Sequence, residues 1–140
     1  MVGRVAPLEY PDQRAPDYGG PMLIAFSVAP SGVGELGDDD PSGSVSAAVA
    51  AAVRVVRQSG LPNHTDSMFT TVEGGWDECM AVVKRACDVV GRYGSRVSLV
   101  LKADIRPGHT GELEGKVARV EATLQSAGSS ITTVPVTPGS

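Results

Sequence analysis

Thr70-Thr71-Val72-Glu73-Gly74-Gly75-Trp76-Asp77 reads as the end of a strand, a Gly-Gly break and the start of a helix. Two β-branched threonines and a valine favour extended backbone. The glycines stop the strand, and Asp77 and Glu78 supply the negative charge that a helix N-terminus favours. Hydroxyls, a carboxylate and the only Trp of the chain crowd together beside flexible backbone, which suits a small-molecule site better than a core.

Outward from this stretch, the pattern resolves into strands and helices. Trp76 to Tyr93 carries an apolar stripe of Trp76, Met80, Val83, Cys87 and Val90, and Gly94 ends it. Arg96 to Arg106 alternates, with Val97, Leu99, Leu101, Ala103 and Ile105 on one face. A third helix from about Glu112 to Gln125 is expected to bury Leu113, Val117, Val120 and Leu124. On the N-terminal side, Met22 to Ala29 alternates as a strand, and Pro30 to Gly43 is a long loop. Ser44 is a candidate N-cap for a helix whose stripe is Val45, Ala48, Val49, Ala52, Val53 and Val56. Gly60 and Pro62 stop that helix, and Asn63 to Glu73 reads as a short hairpin.

The order β-α-β(β)-α-β-α predicts an α+β fold, a ferredoxin-like split βαβ plait. Its antiparallel sheet carries helices on one face, with a C-terminal helix added. Residues 1–21 read as a flexible extension, 22–126 as the folded domain and 127–140 as a flexible tail. The second sheet face (Leu23, Ala25, Ser27; Ser98, Val100, Lys102) is small or semi-polar and is expected to meet another subunit.

Composition narrows the function. With 16 acidic against 12 basic side chains, the chain is a poor match to a nucleic-acid surface. An RNA-binding plait would also need aromatics on its central strands for base stacking. No stretch reads as a signal peptide or a membrane span, so the cytoplasm is the expected compartment. Cys79 and Cys87 lie eight residues apart on one helix, about 12 Å by helical rise, which is beyond disulfide reach. Both sit mid-helix, away from the N-terminus that would activate a thiol, so no enzyme is expected. His64 and His109 lack further ligands at metal spacing, and Asp38-Asp39-Asp40 reads as a solvated turn.

Taken in order, several segments resemble the small prokaryotic thiamine-binding-protein family. They are Ser27-Val28-Ala29-Pro30 with Gly32, Ser44-Val45-Ser46, Ser59-Gly60-Leu61, and Thr70-Thr71-Val72-Glu73-Gly74 with Trp76-Asp77-Glu78. Gly94 with Arg96-Val97, Asp104-Ile105-Arg106 and Lys116-Val117 complete the set, which covers roughly residues 22–125. Two departures are the long loop from Val33 to Gly43 and Phe69, which stands where a small residue is common.

The resemblance implies a ferredoxin-like homodimer or homotetramer built through the sheets. It implies binding of thiamine or its pyrimidine moiety without catalysis, and on the residues themselves no cofactor and no metal are expected. A cationic thiazolium and an aminopyrimidine call for a carboxylate, hydrogen-bond partners and an apolar or aromatic surface. Ser27, Thr70, Thr71, Glu73, Trp76, Asp104 and Arg106 are the candidate ligand-binding residues. Glu73 could bond the amino group or balance the cation, and Glu73→Gln is expected to weaken binding without unfolding the chain. Trp76 could stack on the ligand or anchor the helix start. Asp104 or Arg106 could complete the pocket or bridge subunits. The alternative function is a regulatory or structural ferredoxin-like oligomer with another small ligand or none.

Overall fold

The computed structural model describes residue 3 and residues 20–36 and 45–129. The elements run β1 (Met22–Ser31), α1 (Ser46–Gln58), β2 (Asn63–Thr65), β3 (Thr70–Gly74), α2 (Trp76–Val90), β4 (Arg96–Asp104) and α3 (Glu112–Ser129). The strands form one sheet in the order β2-β3-β1-β4, and every neighbouring pair is antiparallel. This is the expected plait. The candidate N-cap Ser44, the acidic run Asp38–Asp40 and most of the two terminal extensions lie outside the described residues.

Alternation along β1 decides which face is buried. Met22, Ile24, Phe26 and Val28 point into the core, and the residues between them are half-buried. The register carries this choice to β3 and β4. Ile24 stands opposite Val72 and Ala103, and Leu23 stands opposite Glu73 and Asp104. The first set faces α1 and α2, whose Val56, Val82 and Val90 close the core with almost no exposure. Because side chains alternate, Glu73, Thr71, Lys102 and Asp104 share the other face.

Several expectations are corrected. The strand does not break at Gly74. It runs through Gly74, and Gly75 is the extended residue that precedes α2. A Cβ on Gly74 would stand 3.2 Å from Leu61 and from the Cys79 sulfur, so a larger residue there would push these side chains by a few tenths of an ångström. Gly60 does end α1, with φ +75°. Trp76 is 42% exposed rather than part of the α2 stripe, because it is the first helical residue. On α1, Ala48, Ala52 and Val56 are buried, but Val45 and Val49 are each 39% exposed. The β2–β3 hairpin does not close over that edge of the helix, and a cavity is left there.

The largest correction concerns α3. It continues to Ser129, and its stripe is not buried: Val117, Val120 and Leu124 are 61%, 59% and 60% exposed. The helix lies on the sheet face opposite α1 and α2. It is fixed there through Glu73 and Asp104, both of which that face carries. Its first turns carry these contacts, and the apolar residues further along remain more than half exposed among the described residues.

Candidate functional site

The cavity beside α1 is bounded by three elements. Phe26 to Ala29 of β1 form the floor, the N-cap Val45 with Val49 and Val53 of α1 form one wall, and Thr65 to Thr70 of the β2–β3 hairpin form the other. Its volume is about 170 Å³. Thr65 and Thr70 face each other across the hairpin, and their hydroxyl oxygens lie 3.2 Å apart. Thr70 is buried on the helix side of the sheet, opposite Phe26. A hydroxyl pair can donate or accept, so it can adapt to a ring nitrogen or to an amino group.

The hairpin tip is set by Asp66. Its Oδ1 accepts hydrogen bonds from the Met68 and Phe69 amides, each at 2.8 Å, and its own amide donates to the Phe69 carbonyl at 2.9 Å. This is an Asx-type turn. The Phe69 and Met68 amides hold the Asp66 carboxyl below its usual pKa, so it is ionised at neutral pH. A fixed anion therefore stands at the mouth of an otherwise mostly apolar cavity, and the adjoining Phe69 is half-buried.

The structure does not bring the seven sequence candidates together. Thr70 lines the cavity, and Ser27 belongs to its β1 floor, although alternation along the strand turns the Ser27 side chain to the other face. Thr71 is on the opposite face, level with His64 of β2 and Ala25 of β1. Glu73 is 6% exposed and is committed to α3. Its Oε1 accepts from the Gly111 amide at 2.7 Å and its Oε2 from the Leu113 amide at 2.8 Å. These are N-terminal amides of the helix, where a carboxylate is favoured. Asp104 forms an ion pair with Lys116 of α3. Trp76 stands at the start of α2, and Arg106 is exposed after β4.

Sequence reading missed Thr65, Asp66 and the exposed edge of α1. Asp66-Ser67 between the β-branched Thr65 and Thr70-Thr71 is a turn signal. Nothing in the sequence marked the gap beside Val45 and Val49. Among the described residues, no group of three or more His, Cys, Asp and Glu could hold a metal ion, and no helix is long and apolar enough to cross a membrane. Burial pushes the Cys79 thiol up to about 11, with smaller contributions from Glu78 and Glu73. Burial also raises the Cys87 thiol, aided by Asp88.

The sequence profile of the thiamine-binding protein family matches residues 24–121. The chain belongs to this family. A UPF0045 protein of Mycobacterium bovis is 52% identical over 104 residues, which is 74% of this chain and 94% of that one. A UPF0045 protein of Synechocystis is 29% identical over 107 residues, covering 76% and 82%. Among solved structures, a hypothetical protein of Methanocaldococcus jannascii superposes with a TM-score of 0.61 at 29% identity, covering 72% of this chain and 96% of that one. A Thermotoga maritima protein assigned provisionally to thiamine biosynthesis or salvage gives 0.57 at 23% identity, covering 71% and 98%. That second likeness speaks to the fold.

Proposed function

We propose that this chain is a non-catalytic binding protein that takes thiamine, or its pyrimidine moiety, into the cavity between α1 and the β2–β3 hairpin. The observation that carries this reading is a cavity of about 170 Å³ with a paired hydroxyl in its wall, in a chain of the thiamine-binding family. A cavity of roughly 150 Å³ admits a single six-membered ring. The aminopyrimidine fits between the Val45–Val49 edge and Phe26, with the Thr65 and Thr70 hydroxyls for its polar atoms. The thiazolium then reaches the mouth, where the Asp66 carboxylate balances its charge. Raised pKa values at both cysteines are the reverse of an activated nucleophile. Free thiols at Cys79 and Cys87 suit a reducing compartment, so the cytoplasm is the proposed location, which cell fractionation tests.

The test is calorimetric titration with thiamine and, separately, the free pyrimidine. Saturable heat that weakens several-fold in Thr70→Val supports the reading. Absence of heat with both ligands overturns it.

A second reading is a regulatory or structural homo-oligomer. Val117, Val120 and Leu124 on α3, and Val100 on the same side of the sheet, expose apolar surface that a second copy could cover. Light scattering at micromolar concentration tests it, and a monomer counts against it.

A further inference from the structure

We propose that the site takes its ligand as a phosphate ester, with Arg54 and Arg57 of α1 holding the phosphate. The inference rests on the binding reading above and adds the ligand class. The ring-sized cavity does not end at the edge of α1. It adjoins an open groove of about 900 Å³ along the outer side of that helix, whose described lining comes from α1 and its N-cap alone, and the two share Val45, Val49 and Val53. The groove continues past these valines to Arg54 and Arg57. A ligand seated in the cavity therefore has an apolar shelf leading away from it and two cations at the far end.

The spacing fits that use. Arg54 and Arg57 are three residues apart, so both guanidinium groups lie on one side of the helix. From Val49 to Arg57 the helix advances roughly 12 Å, a reach that two linked rings and a phosphate tail can span. Both arginines are exposed, and among the described residues neither forms a salt bridge. Some other cations in the described chain do have carboxylate partners. Lys116 pairs with Asp104, Arg119 with Glu112 and Lys84 with Asp88. Two unpaired guanidinium groups at the end of an apolar shelf form a fork suited to a phosphate, which accepts bidentate hydrogen bonds. The Asp66 anion lines the cavity and the Arg54 and Arg57 cations line the adjoining groove, which suits a ligand with a cationic ring and an anionic tail.

The test compares thiamine with thiamine diphosphate in parallel titrations at low and high salt, on the full chain and on an Arg54→Gln/Arg57→Gln double variant. Both substitutions are on exposed helix surface, and circular dichroism checks that the variant is folded. The expected result is that the diphosphate binds about tenfold tighter at low salt. The advantage shrinks in high salt, where exposed charges are screened, and it disappears in the double variant. Equal affinity for the two ligands, as would follow if another part of the chain filled the shelf, overturns this inference and leaves the thiamine reading standing. A preference that persists in the double variant also overturns it. No binding of either ligand overturns both readings.

Discussion

Glu73 Oε1 lies 2.7 Å from the Gly111 amide nitrogen, a hydrogen bond between residues 38 apart in sequence. Its second oxygen takes the Leu113 amide at 2.8 Å. One buried carboxylate thus docks the start of α3 onto the sheet. Removing a charge-assisted hydrogen bond costs about 1.5–3 kcal/mol. In Glu73→Ala, amide exchange at Gly111 and Leu113 is expected to accelerate, with thermal stability lowered by an amount in that range. Ligand affinity is expected to stay within twofold, because Glu73 does not line the cavity. Unchanged exchange at these amides would show that the carboxylate is not the latch.

Thr70→Val keeps the shape of the side chain and removes one member of the hydroxyl pair. Thiamine affinity is expected to fall by about 1 kcal/mol, the usual net worth of a neutral hydrogen bond. Chemical denaturation should show a change of similar size, since Thr65 loses its partner. A titration superimposable on that of the unaltered protein would remove Thr70 from the site.

Ile24 and Val120 make a contrast of burial. Ile24 is wholly enclosed at the centre of β1, whereas Val120 is 59% exposed. Ile24→Ala is expected to cost about 2–5 kcal/mol through lost burial and the cavity left behind. Val120→Ser is expected to stay within about 0.5 kcal/mol for the isolated chain. Should Val120→Ser unfold the protein at low concentration, α3 would have to pack against something that the single chain does not show.

Cys79 links stability to alkaline pH. Its thiol is raised from the ordinary 9.0 to about 11. The native state therefore holds its proton where the unfolded chain has lost it. This stabilisation is fully present below pH 9 and is lost as pH rises toward 11, by roughly 2–3 kcal/mol. Denaturation midpoints measured from pH 8 to pH 11 should fall across that window, and Cys79→Ala should flatten the fall. At neutral pH, thiol-specific reagents should label Cys79 only as fast as the protein unfolds.

Asp66 works at the other end of the scale. The Phe69 and Met68 amides hold its pKa below 3.8. The turn is therefore supported above the unfolded value and loses that support as pH falls through the lower folded value. Amide chemical shifts of Met68 and Phe69 should titrate together below pH 3.8, and Asp66→Asn should abolish the shared transition. Independent titration of the two amides would mean that they do not share one acceptor.

The sequence by itself determined the element order and the inward face of the strands. A period of two along β1 leaves only one face that can bury Ile24 and Phe26, and the stripe Ala48, Ala52 and Val56 leaves only one side of α1. Gly60 likewise announced its helix end. What only the tertiary structure decided lies where distant segments meet. Local pattern cannot tell an apolar stripe that packs from one that stays bare, so Val117, Val120 and Leu124 read as core and stand exposed. Nor can it tell that Glu73, at a strand end, would be claimed by amides nearly forty residues later. The cavity exists because the hairpin and α1 stop short of each other beside Val45 and Val49, and such a gap depends on the angle at which two elements pack, which no single segment encodes.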